Sequence, residues 1–327
     1  MENIKEKRRK ILKKEQWMQK TVVIWLLAMI CCLLWGSAFP CIKIGYKLFH
    51  IASTDAASQL LFAGCRFFLA GLLVLLLGTS GNFKVKKTEV PMIFILAMFQ
   101  TILQYVFFYM GLAHTTGVKS SIINGSNSFL IILVASLIFH QEKLTGQKIL
   151  GCVLGFAGVI LVNLGGSGLD MSFHWNGEFF ILLCTVSAAF SSAFIKKFSA
   201  KANPVLLSGW QFTVGGTALI IIGKLMGGHL AFTGVAPLIL LLYMAGISAV
   251  AYTLWSLLLK YNLPSRIAVF GFMNPIFGVM LSALLLKEKG QAFSLAGLTS
   301  LILVCIGIYI VNRENPLKEA LTDTTSV

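Results

Sequence analysis

Long apolar runs alternate with short polar connections along almost the whole chain. An α-helix rises about 1.5 Å per residue, so about 20 apolar residues cross the hydrocarbon core of a bilayer. The runs predict an all-α integral membrane protein of ten transmembrane helices with no separate soluble domain. Their predicted limits are about 21–46, 57–79, 90–113, 119–139, 147–164, 177–198, 204–226, 236–260, 265–286 and 292–312.

The first half of the fourth predicted helix is unusually polar. Ser120, Asn124 and Asn127 follow one another at four and three residues, which places them on one face of a helix. Polar groups within a bilayer are costly unless they face protein or water. We therefore expect this face to look toward a cavity or a neighbouring helix.

The overall composition agrees with a membrane protein. Hydrophobic residues make up 57% of the chain, charged residues 12%, and the mean hydropathy is +0.84. The seven cysteines lie within apolar runs, and their spacing matches neither a disulfide framework nor a zinc site. No serine has a histidine and a carboxylate that the predicted helices could bring beside it. We therefore expect no metal, no cofactor and no enzymatic activity.

The formal net charge of +15 raises the question of a nucleic-acid partner. If the N-terminus is cytoplasmic, however, twenty of the Lys and Arg residues fall on the cytoplasmic side and five on the opposite side. This asymmetry follows the positive-inside rule and predicts that both termini are cytoplasmic. We interpret the basic N-terminal run as a retained cytoplasmic anchor; a lipid-binding arm is the alternative. The sequence therefore predicts that the protein lies in a lipid bilayer and does not bind nucleic acid.

The chain also repeats itself. With an offset of 147 residues, 103–127 overlays 250–274, so that Tyr105 matches Tyr252 and Asn127 matches Asn274. The other matches are GCRFFLAG (64–71) with GWQFTVGG (209–216), WGSAF (35–39) with FSSAF (190–194), and HQEKLTGQKILG (140–151) with LKEKGQAFSLAG (286–297). Five helices in each copy require the second copy to enter the membrane from the opposite face. Inverted repeats of this kind are typical of transporters, whose sites lie between the halves.

The repeat also predicts the organisation of the chain. A basic cytoplasmic tail at 1–20 precedes a first repeat at 21–164, and a second repeat at 177–312 precedes a cytoplasmic tail at 313–327.

These repeated segments resemble the EamA-type branch of the drug/metabolite transporter superfamily. The resemblance is carried by LLWGSAFPCIKIG (33–45), CRFFLAGLLVLLLG (65–78), and the paired segments EKLTGQKILGCVLGFAGVILVN (142–163) and EKGQAFSLAGLTSLILVCIGIYIVN (288–312). It implies two inverted five-helix repeats that work by alternating access. It also implies a central cavity surrounded by helices one, three, four, six, eight and nine. Members of the family move amino acids and other small metabolites, often outward.

Candidate substrate-binding residues are the polar and aromatic side chains that we expect to face this cavity. Aromatic faces combined with amide groups suit a small amphipathic solute. The alternative is that the glutamines and tyrosines only form hydrogen bonds between helices. The candidates are Trp35, Ser37, Gln100, Gln104, Tyr105, Phe108, Asn124, Asn127, Tyr252, Trp255 and Asn274.

Two prolines within predicted helices are candidate hinges. Pro275 follows Asn274, and a proline in mid-helix removes a backbone hydrogen bond and kinks the helix. Pro40 stands similarly in the first helix. A kink that serves packing alone is the alternative for both.

Few charges fall within the predicted helices. Arg66, deep in helix two, requires a partner, and we interpret it as a structural clamp with anion binding as the alternative. Lys43, near the outer end of helix one, can extend its amine to the interface. Glu142 and Glu288, each followed by Lys, are predicted to form helix-end ion pairs that contribute little to stability. No carboxylate falls near the midplane, which favours uniport or coupling other than by a buried acid.

The sequence therefore predicts a secondary transporter in a cell membrane that exports a small-molecule substrate such as an amino acid or a related zwitterion. We expect a monomer or a weak homodimer. One alternative is transport of sugar phosphates, nucleotide-linked sugars or drugs. A phosphorylated substrate would need basic residues that face the cavity, and Lys43 and Arg66 are the candidates. Another is a membrane interaction or sensor protein that transports nothing.

Overall fold

The computed structural model describes residues 15–52, 54–79, 83–112, 123–164, 175–285 and 295–313, together with Glu6 and His114. Within these residues the chain forms helices and short connections and contains no strand. Ser120, Glu288 and most of the predicted tails at 1–20 and 313–327 lie outside the described residues.

The helices are labelled α1 to α10 in chain order, and five of them consist of two or three consecutive pieces. They are α1 (Thr21–Leu48), α2 (Ala56–Leu73 and Val74–Gly78), α3 (Val90–Leu96, Ala97–Leu103 and Gln104–Leu112), α4 (Asn127–Leu133 and Val134–Ile138), α5 (Gly146–Leu164), α6 (Trp175–Phe179 and Phe180–Ser199), α7 (Pro204–Leu225), α8 (Ala236–Tyr261), α9 (Pro264–Ala268, Val269–Phe272 and Met273–Leu285) and α10 (Leu295–Asn312).

Six of these helices, α1, α2, α3, α6, α7 and α8, are long and apolar enough to cross a membrane. Shorter apolar helices occur at Ile123–Ile138, Gly146–Leu161 and Leu298–Asn312. The all-helical membrane class is thereby confirmed for the described residues. Ten spans arranged as two inverted repeats remain a prediction.

The two candidate hinge prolines lie in different settings. Pro40 is buried within α1, which runs as a single helix of 28 residues. Pro275 lies in the first turn of the helix that begins at Met273, just after a 3₁₀ turn at Val269–Phe272. The three pieces of α9 follow one another without a break, so Pro275 lies inside α9 beside a change of helix type, and its role as a hinge stays a prediction.

Helices α2 and α7 cross at a contact between glycines. A Cβ on Gly71 would lie 2.8 Å from the carbonyl oxygen of Gly209, and a Cβ on Gly216 would lie 2.9 Å from that of Gly64. Residue numbers therefore rise along α2 as they fall along the facing stretch of α7. The two helices that match in the sequence repeat run in opposite directions.

Helices α5 and α10 pack in the same manner. A Cβ on Gly151 would lie 2.8 Å from the carbonyl oxygen of Gly307, and a Cβ on Gly158 would lie 2.9 Å from that of Ser300. Ser300 Oγ donates a 2.6 Å hydrogen bond to the carbonyl oxygen of Gly158. Small residues allow this close approach, and here they serve packing within the chain. This pair of helices is also antiparallel.

The remaining helices exchange partners between the two halves of the chain. Helix α1 packs against α8 and α9, whereas α6 packs against α3 and α4. Under the sequence repeat α1 corresponds to α6, α3 to α8, and α4 to α9. The two sets of contacts are therefore equivalent, and together they surround the centre of the molecule.

Glu142 differs from its prediction as a weak helix-end pair. Its side chain is fully buried, and one oxygen lies 3.2 Å from Nζ of Lys148, which is also buried. The carboxylate accepts a 2.8 Å hydrogen bond from the backbone N–H of Ser265 and another from the Ser265 hydroxyl. The prediction is wrong because the partners come from α5 and the start of α9 rather than from the neighbouring Lys143.

The connection between α8 and α9 is held from several directions. Asn262 Nδ2 donates to the carbonyl oxygen of Met18, ahead of α1, and Lys196 Nζ of α6 donates to the carbonyl oxygen of Asn262. Together with the Glu142 bonds to Ser265, these contacts join both halves of the chain at one end of the helices.

We predict that Gly71→Ala lowers the free energy of unfolding by about 1–3 kcal/mol, because the new methyl group forces α2 and α7 apart. Gly246→Ala is the matched control, since a Cβ there meets nothing within 4 Å. The control should be neutral or slightly stabilising, as alanine favours helix. Unfolding of the purified proteins in detergent measures both, and equal effects would contradict the prediction.

We also predict that Glu142→Gln destabilises the protein by about 3–5 kcal/mol, because the buried ammonium group of Lys148 loses the carboxylate that pairs with it. The double variant Glu142→Leu with Lys148→Met should recover part of this loss, since no charge remains buried. Lys143→Met changes an exposed neighbouring side chain and serves as the control. A Glu142→Gln protein that unfolds at the wild-type temperature would refute this account of the buried pair.

Candidate functional site

A cavity of about 190 Å³ lies among α1, α2, α3, α4, α6, α8 and α9. One water molecule needs only about 10–15 Å³ by the same measure, so the cavity can hold a small solute. Its walls come from both halves of the chain, on the helices that exchange partners.

Ten of the eleven predicted substrate-binding residues line this cavity. They are Trp35, Gln100, Gln104, Tyr105, Phe108, Asn124, Asn127, Tyr252, Trp255 and Asn274. Ser37 is buried but does not line it: its hydroxyl donates a 2.7 Å hydrogen bond to the carbonyl oxygen of Leu34. The structure thus brings most of the candidates together, and their contact with a substrate stays a prediction.

Aromatic rings form one wall of the cavity. The Trp35 ring meets those of Tyr252 and Trp255 edge to face, each with centroids 5.0 Å apart. The hydroxyl oxygens of Tyr105 and Tyr252 lie 2.9 Å apart and form a hydrogen bond. These two tyrosines occupy equivalent positions of the sequence repeat, so the bond joins the two halves at matching points.

Three buried polar atoms on the cavity wall have no hydrogen-bond partner among the described residues. They are Trp35 Nε1, Asn127 Oδ1 and Asn274 Oδ1. An unpartnered buried polar atom costs about 1–3 kcal/mol. Both asparagines lie in the first turn of a helix, at Asn127–Leu133 and Met273–Leu285. The wall therefore offers an indole donor and amide oxygens to whatever occupies the cavity.

Gln100 is partly engaged by the protein itself. Its Oε1 accepts a 3.0 Å hydrogen bond from Nε2 of Gln211, whose Oε1 accepts a 2.8 Å bond from the hydroxyl of Thr101. For the amide oxygen of Gln100, the structure agrees with the alternative interpretation of a bond between helices.

Several lining residues were missed from the sequence. They include the small and polar residues Cys184, Ala188, Ser191, Ser192 and Gly271. The repeat offered a signal for Ser192, because WGSAF in α1 matches FSSAF in α6 and so pairs Ser37 with Ser192. The second copy, rather than the first, brings this serine to the cavity.

The two cations singled out from the sequence are placed differently. Arg66 is 3% exposed and lines the cavity, and its Nε donates hydrogen bonds to Ser248 Oγ at 2.9 Å and to the Met244 carbonyl at 3.3 Å. Lys43 is exposed and does not line the cavity. No group of His, Cys, Asp and Glu among the described residues could hold a metal ion.

Comparison with known proteins covers almost the whole chain. Residues 23–164 and 175–313 match the model of the EamA-like transporter family. The uncharacterized transporter YvbV of Bacillus subtilis is 27% identical over 92% of this chain and 95% of its own length.

Two relatives carry more specific names. A probable amino-acid metabolite efflux pump of Salmonella typhimurium is 25% identical over 87% of this chain and 93% of its own. An S-adenosylmethionine/S-adenosylhomocysteine transporter of Chlamydia muridarum is 25% identical over 84% of this chain and 88% of its own.

A solved protein structure superposes with a TM-score of 0.70 and 16% identity, covering 89% of this chain and 96% of that one. At this identity the likeness concerns the fold alone. With the apolar helices, the family match indicates a multi-pass membrane transporter of small molecules.

We predict that Tyr105→Phe and Tyr252→Phe each lower the free energy of unfolding by about 1 kcal/mol, because each leaves the partner hydroxyl without its hydrogen bond. The double variant should cost no more than either single variant, since both remove the same bond. Tyr309→Phe, at an exposed ring, is the control. Unfolding in detergent measures the four proteins, and strictly additive losses would show that the hydroxyls act separately.

Proposed function

Because the chain belongs to the EamA-like transporter family, we propose that it is a secondary transporter that exports a small metabolite by alternating access. The solute class that we favour is an amino acid or a related zwitterion. The observation that carries the proposal is the cavity between the two halves, with unpartnered polar atoms set among aromatic rings.

We further propose ten spanning helices in two inverted five-helix repeats. The antiparallel contacts of α2 with α7 and of α5 with α10 support this arrangement. So does the equivalence of the contacts that α1 and α6 make with the opposite half. A site at the junction of two inverted halves can open to either face when one half rocks against the other. The asymmetry of Lys and Arg along the sequence supports cytoplasmic termini.

The chemistry of the cavity favours a small amphipathic solute. Indole and phenol rings at Trp35, Trp255 and Tyr252 suit an apolar side chain. The asparagine oxygens can accept hydrogen bonds from an ammonium group. The Salmonella and Chlamydia relatives, named for amino-acid metabolites and for S-adenosylmethionine, lend support to a solute derived from an amino acid.

The alternative of a phosphorylated or nucleotide-linked sugar finds less support. Such a solute carries several negative charges, which call for several cations around the site. Among the described lining residues Arg66 is the one cation, and Lys43 lies elsewhere.

We predict that Asn127→Ala with Asn274→Ala lowers flux of the exported solute about tenfold or more, because two hydrogen bonds to the solute are lost. The solute is first identified from the metabolites that accumulate in medium of cells with and without the protein. Its flux is then measured in reconstituted vesicles.

Asn312→Ala is the control, since Asn312 lies at the end of α10 and does not line the cavity. Wild-type flux in the double variant would remove the asparagines from the mechanism. Identical metabolite profiles with and without the protein would count against export itself and favour a sensor or interaction protein.

A further inference from the structure

Arg66 lines the cavity, and within the described part of the chain it bonds to the protein through only one of its guanidinium nitrogens, Nε. Its side chain is 3% exposed, and Nε donates to Ser248 Oγ and to the Met244 carbonyl, which ties α2 to α8. No described residue accepts a hydrogen bond from Nη1 or Nη2, although Arg66 lines the cavity. The outer edge of the guanidinium therefore has unused donors at the cavity wall.

The positive charge of Arg66 also lacks a counterion within the described chain. The residues that line the cavity include no Asp or Glu. The ring of Phe67 lies 5.1 Å from the guanidinium carbon. A buried charge without an opposite charge is costly in a membrane protein, and such residues usually serve function.

The second half of the chain provides an internal comparison. The match of 64–71 with 209–216 pairs Arg66 with Gln211, and the offset of 147 pairs Ser248 with Thr101. Gln211 accepts a 2.8 Å hydrogen bond from the Thr101 hydroxyl, as Arg66 donates a 2.9 Å bond to the Ser248 hydroxyl. The tie between α7 and α3 is thus made by a neutral amide. Joining the helices does not in itself require a charge.

We infer that Arg66 binds a carboxylate group of the transported solute through its Nη1 and Nη2 donors. The inference rests on the proposed transport function. A guanidinium matches a planar carboxylate with two parallel hydrogen bonds. One cation balances a carboxylate, whereas a phosphate dianion would remain half balanced. Trp35, Asn127 and Asn274 then serve the other end of the solute, which carries an apolar part and hydrogen-bond donors.

The test compares acids with their amides, because these differ in charge and little in shape. Thermal unfolding of the purified full-length protein in detergent is followed with a panel of common amino acids, each against its carboxamide, and with benzoate against benzamide. For wild type we expect the best acid to bind about tenfold to a hundredfold more tightly than its amide. Arg66→Gln, which copies the neutral tie of Gln211, should bring this ratio close to one.

Two further variants separate charge from fold. Arg66→Lys keeps a positive charge without the paired donors, so we expect a reduced but measurable preference for the acid. Ser248→Ala keeps the guanidinium and loosens its tie, so we expect a lower unfolding temperature with the preference retained. An Arg66→Gln protein that keeps the full preference would overturn the inference. So would a wild-type protein that no acid stabilises beyond its amide.

Flux in reconstituted vesicles distinguishes failure of this inference from failure of the proposed function. Export of a solute that carries no carboxylate would support the proposed transport function and refute carboxylate binding by Arg66. The opposite result is also possible to recognise: the wild-type protein prefers acids, Arg66→Gln loses this preference, and no bound acid is transported. That result would support carboxylate binding by Arg66 and refute the proposed transport function.

Discussion

A polar group buried in this helical chain is costly unless it finds a partner inside the protein, because neither lipid nor packed apolar side chains can hydrogen-bond to it. Several do so across helices, as Ser208 does with Ser256 and Glu142 does with Lys148. Some unpartnered buried atoms, such as Asn262 Oδ1, lie near helix ends. Those of Trp35, Asn127 and Asn274 line a single cavity. The same constraint that makes such atoms rare in a membrane protein makes this group informative about function.

Close helix packing determines where that cavity can lie. Glycine contacts hold α2 against α7 and α5 against α10, so the backbones in these pairs leave no space between them. The cavity forms instead among α1, α3, α4, α6, α8 and α9, with α2 contributing Arg66. At one end of this group, the buried Glu142 joins the connection between α4 and α5 to the first turn of α9. Any movement that opens this end must therefore separate a buried ion pair or carry all of its members together.

The repeat allowed the sequence to predict some of the residues that share the cavity. The match of Tyr105 with Tyr252 and of Asn127 with Asn274 follows from the chain alone, and these four residues line one cavity. The periodicity of the sequence could not determine how each helix is rotated about its own axis. Ser37 was therefore predicted to bind substrate, whereas its counterpart Ser192 is the serine that lines the cavity. Nor could periodicity identify the partner of Glu142, because Ser265 lies 123 residues away and only the folded chain brings them together.

Helices that match in the sequence repeat make similar contacts, but some of their equivalent side chains differ in chemistry. Gln211 of α7 repeats the contact of Arg66 with a hydroxyl on the opposite half, yet carries no charge. Phe190 of α6 stands where Trp35 stands in α1 and lacks its indole N–H. A backbone with equivalent halves can open to either side of a membrane with similar contacts. A solute with one carboxylate end is not symmetric, so its binding calls for different side chains on the two sides of the cavity. The charge of Arg66, whose counterpart Gln211 is neutral, is such a difference.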